Sequence, residues 1–165
     1  MNIQPRIKTL TSKKLVGFKL TMSLAENKTS QLWKSFMTRR NEIASPLNSN
    51  LFSMQIYTTP LGLGNLTQEF EKWATIEVSN FEKVPKGMET FNLKSGLYAV
   101  FNYKGLSTDH RIFIYIFSTW LPNSEYELDN RPHFEILGEK YKNNDINSEE
   151  EIWIPIKPKN TAYNI

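Results

Sequence analysis

Arg111-Ile112-Phe113-Ile114-Tyr115-Ile116-Phe117 is the stretch on which the fold turns. Local propensity makes it a strand, because β-branched and aromatic residues fill it. Two neighbours argue otherwise. Ser107-Thr108-Asp109 just before it is a helix-start cluster, and Pro122 just after it is a stop signal. The third argument is the order of the segments around it. Read as a helix over about 108–120, it completes a series of strand, strand, helix, strand, strand that has already occurred once.

The first series runs as follows. Residues 5–10 and Lys14–Met22 read as strands paired with each other. Asn27-Lys28-Thr29-Ser30 opens a helix of about 30–43, with Leu32, Trp33, Phe36, Met37 and Ile43 at helical spacing and Ser45-Pro46 as its end. Phe52–Tyr57 alternates as a strand. A loop holding Pro60, Gly62 and Gly64 leads to a strand over Glu71–Val78. In the second series, strands at Met88–Lys94 and Leu97–Tyr103 precede the decisive stretch. Strands at His133–Gly138 and Glu151–Ile156 follow it.

The halves, about 1–82 and 83–165, stand some 80 residues apart. Met54-Gln55-Ile56 falls opposite Phe134-Glu135-Ile136, and Ile76-Glu77-Val78 opposite Ile154-Pro155-Ile156. An internal duplication follows. The predicted fold class is α+β: a tandem strand-helix-strand-strand pseudo-repeat, one antiparallel sheet, two helices on one face and a central cleft. The opposite face, or the seam between the halves, is where a small-molecule site is expected.

Composition narrows the function. The chain has 165 residues, a net charge of +3, no cysteine, four tryptophans, seven tyrosines and ten phenylalanines. Lack of cysteine excludes disulfides, a thiolate nucleophile and a Cys-based zinc site. The basic residues are scattered among nearly as many acids, which argues against a phosphate-binding surface. No apolar run has the length of a membrane span or the pattern of a signal peptide. The expected location is the cytoplasm. Neither His110 nor His133 has a second ligand at metal spacing, so no metal and no cofactor is predicted.

Several stretches, taken in order, resemble the gyrase-inhibitor-like (GyrI-like) effector-binding family. They are Ser95-Gly96-Leu97-Tyr98-Ala99-Val100-Phe101 with Lys104-Gly105, Trp120-Leu121-Pro122-Asn123-Ser124, His133-Phe134-Glu135, and Glu151-Ile152-Trp153-Ile154-Pro155-Ile156. The resemblance implies the tandem fold and a central cleft for small aromatic or cationic molecules. Relatives of this kind also form the ligand-binding parts of AraC- and MerR-type regulators. Here one domain over 1–165 is expected, with no residues left for a DNA-binding domain.

Glu135 is the central candidate. Alternation puts Phe134 and Ile136 on one face, expected to meet the helix, and Glu135 on the other, in the cleft. Gln55 is its mate in the first half. Tyr57, Trp73, Phe101, Tyr103, Trp120 and Trp153 are the candidate aromatic walls, while Tyr98 is placed on the helix side. A carboxylate among rings loses hydration, and its pKa rises. The leading expectation is a stand-alone protein that binds an apolar, aromatic or cationic molecule on this acidic anchor, with no membrane and no direct DNA partner. One alternative is a hydrolase of strained, cyclopropane-type natural products, using Glu135 as general base. Another is a protein-interaction module such as a gyrase modulator.

Overall fold

A computed structural model describes residues 2–160. In chain order the elements are β1 (Arg6–Leu10), β2 (Lys13–Met22), α1 (Thr29–Arg39) with a 3-10 turn at Arg40–Glu42, β3 (Pro46–Ile56) and β4 (Phe70–Val78). Then come β5 (Glu89–Leu93), β6 (Gly96–Lys104), α2 (Arg111–Tyr115), a π-helical turn (Ile116–Trp120), α3 (Leu121–Asn123), β7 (Tyr126–Leu128), β8 (His133–Leu137) and β9 (Glu149–Pro158). The predicted order is all there. The stretch 111–117 is helical, and burial of Ile112 and Ile116 on the sheet is what overrides its propensity. Strand β7 had no clear sequence signal; it is three residues long and pairs with the end of β9.

The sheet runs β1-β6-β9-β8-β3-β4-β2-β5, and all its pairs are antiparallel. This order is symmetric about its middle, the β8–β3 pair. One expectation is corrected here. β1 pairs with β6 rather than with β2, and β5 pairs with β2. Each half therefore lends its first strand to the other. The symmetry holds in residue number at the centre: Met54 faces Phe134, its mate 80 residues on. Trp73 pairs with Met54 and Trp153 with Phe134, again 80 apart. The mates of Ile154 and Ile156 are thus Ala74 and Ile76, two residues earlier than the sequence comparison put them.

The sheet is curled. β1 and β5 stand at opposite ends, seven strand spacings apart, which is roughly 33 Å in a flat sheet. Yet Leu10 of β1 and Leu93 of β5 share one buried cluster with Leu15, Phe52, Met54, Trp73, Tyr98, Val100, Phe134 and Trp153. The helix-free face has folded onto itself. Phe134 sits in its middle, stacked on Trp153 at 5.2 Å and touching Tyr98 at 5.2 Å and Phe52 at 5.8 Å between ring centres. Gly17 marks a close approach inside this curl, since a Cβ there would collide with the Ala74 carbonyl oxygen.

The other face carries the helices. Leu32 and Phe36 of α1 pack on Val16, Ala74, Ile76 and Leu137. Ile112 and Ile116 pack on Ala99, Phe101, Ile152 and Ile154. Leu137 and Ile152 share a face with Glu135, by alternation and by the Glu135–Ile152 pairing. So the helices lie on the Glu135 face, and Phe134, Ile136 and Tyr98 point away from them. The expected assignment of faces is reversed, because the curl gives the second face an apolar filling of its own.

If the curl is the main core, Phe134→Ala should cost about 3–5 kcal/mol in urea unfolding, as for other buried rings. Ile136→Ala, at a half-buried neighbour on the same face, should cost well under half as much. Equal losses would contradict the packing described.

Candidate functional site

The symmetry axis of the sheet passes between β8 and β3, and it brings symmetry mates together. Gln55 and Glu135, 80 residues apart, meet there: Gln55 Nε2 donates to Glu135 Oε2 at 3.1 Å. Register extends the row on both sides. Gln55 stands opposite His133 on β8 and Lys72 on β4. Glu135 stands opposite Ser53 on β3 and Ile152 on β9, which makes Glu150 its diagonal neighbour on the same face. These side chains line the seam between the two halves, on the face that carries α1 and α2.

Aromatic rings frame this polar row. The Tyr57 ring meets His133 edge-on at 5.2 Å and Phe70 at 5.5 Å. Phe117 lies over His133 from the helix side at 6.1 Å. Phe117 belongs to the π-helical turn, where one extra residue per turn shifts the side chains that reach the sheet; such turns recur at functional sites. Gln55 and His133 are buried, while Glu135, Tyr57, Lys72 and Glu150 are half-buried.

Burial dominates the electrostatics. It raises the Glu135 pKa above the ordinary carboxylate value, against the pull of Lys72 and the Gln55 hydrogen bond. Glu150 goes to about 7, through burial first and the Glu135 charge second. Tyr57 goes to about 12 for the same two reasons. Burial lowers His133 to about 4, so it is a neutral imidazole at neutral pH. Neither Glu135 nor Glu150 makes an ion pair among the described residues. No group of three or more His, Asp or Glu among the described residues is arranged to hold a metal ion.

Of the eight residues expected at the site, Glu135, Gln55 and Tyr57 meet in the seam. Tyr103 pairs with Glu150 and donates its hydroxyl to the Leu106 carbonyl at 3.0 Å. Phe101 is fully buried against Trp120 at 5.2 Å, and Trp120 also stacks on Tyr126, so both belong to the core under the second helix. Trp73 and Trp153 are on the opposite face. Each holds the carboxylate two residues before it, Trp73 with Glu71 at 2.6 Å and Trp153 with Glu151 at 3.0 Å. Glu150, Lys72 and Phe117 are neighbours of Glu135 that the sequence reading did not single out. It weighs His133 only as a metal ligand, although His133 shares the parity of Glu135 on β8, as Glu150 shares that of Ile152 on β9. A separate depression of about 510 Å³ lies between α1 and β2, lined by residues that include Phe18, Leu20, Lys34 and Arg39; it shares no residue with the seam.

Residues 6–156 match the family described as "Cass2: Integron-associated effector binding protein". The transcriptional regulator BrlR of Pseudomonas aeruginosa is 29% identical over 157 residues. That match takes in 94% of this chain and 56% of BrlR, so the chain spans little more than half of that relative's length. Among solved structures, SAV2435 bound to tetraphenylphosphonium superposes with a TM-score of 0.70 at 18% identity, covering 94% of each chain. The C-terminal domain of EcmrR superposes with a TM-score of 0.73 at 14% identity, covering 96% of this chain and all of that one. No helix among the described residues is long and apolar enough to cross a membrane.

The Glu150 shift has a signed consequence. Its folded pKa, about 7, lies above the ordinary 4.5, so the folded state keeps a proton that the unfolded chain has lost. That contribution is fully present below 4.5 and is lost as pH rises through about 7. Glu150→Gln should match the parent near pH 4 and melt progressively higher than it toward about pH 8. A gap that stays constant across this window would place Glu150 in bulk water.

Proposed function

From the premise that the chain belongs to the Cass2 family of integron-associated effector-binding proteins, within the gyrase-inhibitor-like group, we propose that it binds a small apolar, aromatic or cationic molecule in the seam between its halves. Glu135 is the acidic anchor. The observation that carries this reading is a carboxylate at the symmetry axis, half-buried, raised in pKa and without an ion-pair partner among the described residues.

A cation in the seam relieves the desolvation that burial imposes on Glu135. A charge-assisted contact contributes about 1.5–3 kcal/mol. Each ring face that meets the cation adds about 0.5–2 kcal/mol, and Tyr57 and Phe117 are the rings within reach. Tetraphenylphosphonium in SAV2435 is an example of a ligand with this chemistry in the same fold. The protein would act by sequestering such a molecule or by passing its presence to a partner.

A second reading has one observation behind it. Glu150, with a pKa of about 7 beside Glu135, offers a proton at neutral pH next to a carboxylate able to activate water. Hydrolysis of a strained electrophile such as a cyclopropane would use that pair. Turnover of such a substrate that is lost in Glu135→Ala would establish it, and binding without product would reject it.

Titration with planar cationic dyes, followed by tryptophan fluorescence and by thermal shift, tests the binding reading. Micromolar affinity is expected. Glu135→Gln should weaken the cations by at least about tenfold, which is ~1.4 kcal/mol, and leave neutral analogues of the same shape within about twofold. A panel in which nothing binds, or in which charged and neutral ligands weaken alike, overturns it.

A further inference from the structure

The seam holds more hydrogen-bonding capacity than the chain itself uses. Glu135 accepts one hydrogen bond from another side chain, that of Gln55. Among the described residues the Glu150 carboxylate accepts none, and the Tyr57 hydroxyl has no partner. The His133 ring, on a residue only 8% exposed, has no hydrogen-bond partner among the described residues, and its nitrogens keep contact with solvent. The ring spends that capacity on water. Here it faces the same seam, edge-on to Tyr57 and in register with Gln55.

These groups lie close together. Diagonal neighbours on adjacent strands are about 7–8 Å apart, which is the relation of Glu150 to Glu135. The charges nearly balance. Two carboxylates oppose one ammonium, that of Lys72 on β4, which attracts both without forming an ion pair with either. With both carboxylates ionised, the state that a bound cation favours at Glu150, one negative charge is left for a ligand.

We propose that the seam, on the reading above that it takes a cationic effector, selects a singly charged cation bearing N–H donors on a flat aromatic body over a quaternary cation of the same size. A protonated amine, an amidinium and a guanidinium are the chemical classes that qualify. The reason is the balance of hydrogen bonds lost and regained. Either kind of cation strips water from Glu135, Glu150, Tyr57 and His133. A quaternary cation returns no hydrogen bond to these acceptors, and leaving them unmatched is what lets a polar site reject an analogue that lacks donors. An N–H cation donates to both carboxylates with charge assistance. It also donates to the bare nitrogen of His133, which stays neutral because burial opposes its charge.

The experiment uses one pair of probes: 2-naphthylmethylammonium and its N,N,N-trimethyl analogue. Both are titrated by calorimetry into the full chain, into Glu150→Gln and into Tyr57→Phe, with circular dichroism to check that the variants fold. The primary ammonium should bind the parent at least about tenfold more tightly than the trimethyl form. That ratio should fall to about threefold or less in both variants, although Tyr57→Phe changes no charge. Equal affinities in the parent, or a preference for the trimethyl form, overturn the selectivity and leave the cation site standing. A ratio that persists unchanged in both variants overturns its assignment to these residues. If neither probe binds, the cation reading itself falls, and the selectivity with it.

Discussion

Five residue pairs, from Leu51–Leu137 to Gln55–His133, hold the middle of the sheet together, and everything at the site depends on their register. A strand that slips by one residue exchanges its faces. Such a slip in β8 would send Glu135 into the aromatic curl and bring Phe134 up beneath the helices. Phe134 prevents this. It is enclosed by Phe52, Tyr98 and Trp153, and no other residue of β8 offers a ring to that cluster. The apolar side of the strand therefore fixes the polar side. Burial of a ring on one face is what aims a carboxylate on the other.

The exchange of first strands strengthens this arrangement. β1 completes the second half and β5 the first, so each half is finished only by the other. The connections from β1 to β2 and from β5 to β6 are two residues each. They cross from one end of the sheet path to the strand next to its other end, which the curl makes possible. A ligand held between the halves would consequently sit between two bodies joined by three separate ladders: β1–β6, β3–β8 and β2–β5. Relative motion of the halves is limited, and the site owes more to fixed placement than to closure.

The element order was legible in the sequence because both signals it rests on are local. Capping clusters and proline stops mark the helices, and alternation marks the strands. Even the misleading propensity of 111–117 yielded to position in the repeat. The pairing of β1 was not legible, since a short link between two strands reads as a hairpin and nothing local shows an exchange across 90 residues. The faces were lost for a different reason. The sequence reading took the apolar side of β8 for the helix side, but a curled sheet buries both of its faces. Phe134 looks like a residue awaiting a helix, and it meets Trp153 instead. Trp73 and Trp153, read as cleft walls, fall on the Phe134 face because register pairs them with Met54 and Phe134. Glu135, Gln55 and Tyr57 stay together, because those three were grouped by parity with one another rather than by which face carried the helices.

The residues whose part in the site escaped notice share a property. His133, Glu150 and Lys72 are ordinary strand residues by type, and each is distinguished only by what stands diagonal or opposite to it on a neighbouring strand. Register is a tertiary fact. Once it is known, the site reads as a charge pattern laid across four strands: lysine on β4, amide on β3, acid on β8, acid on β9. The duplication accounts for its lopsidedness. At the axis the mates are Gln55 and Glu135, equal in shape and unequal in charge, and one such difference converts a symmetric fold into a site with a direction. A symmetric pair of acids would repel across the axis at the distance where Gln55 now donates a hydrogen bond. The amide thus serves two purposes: it holds the carboxylate in place, and it leaves that carboxylate's charge uncancelled.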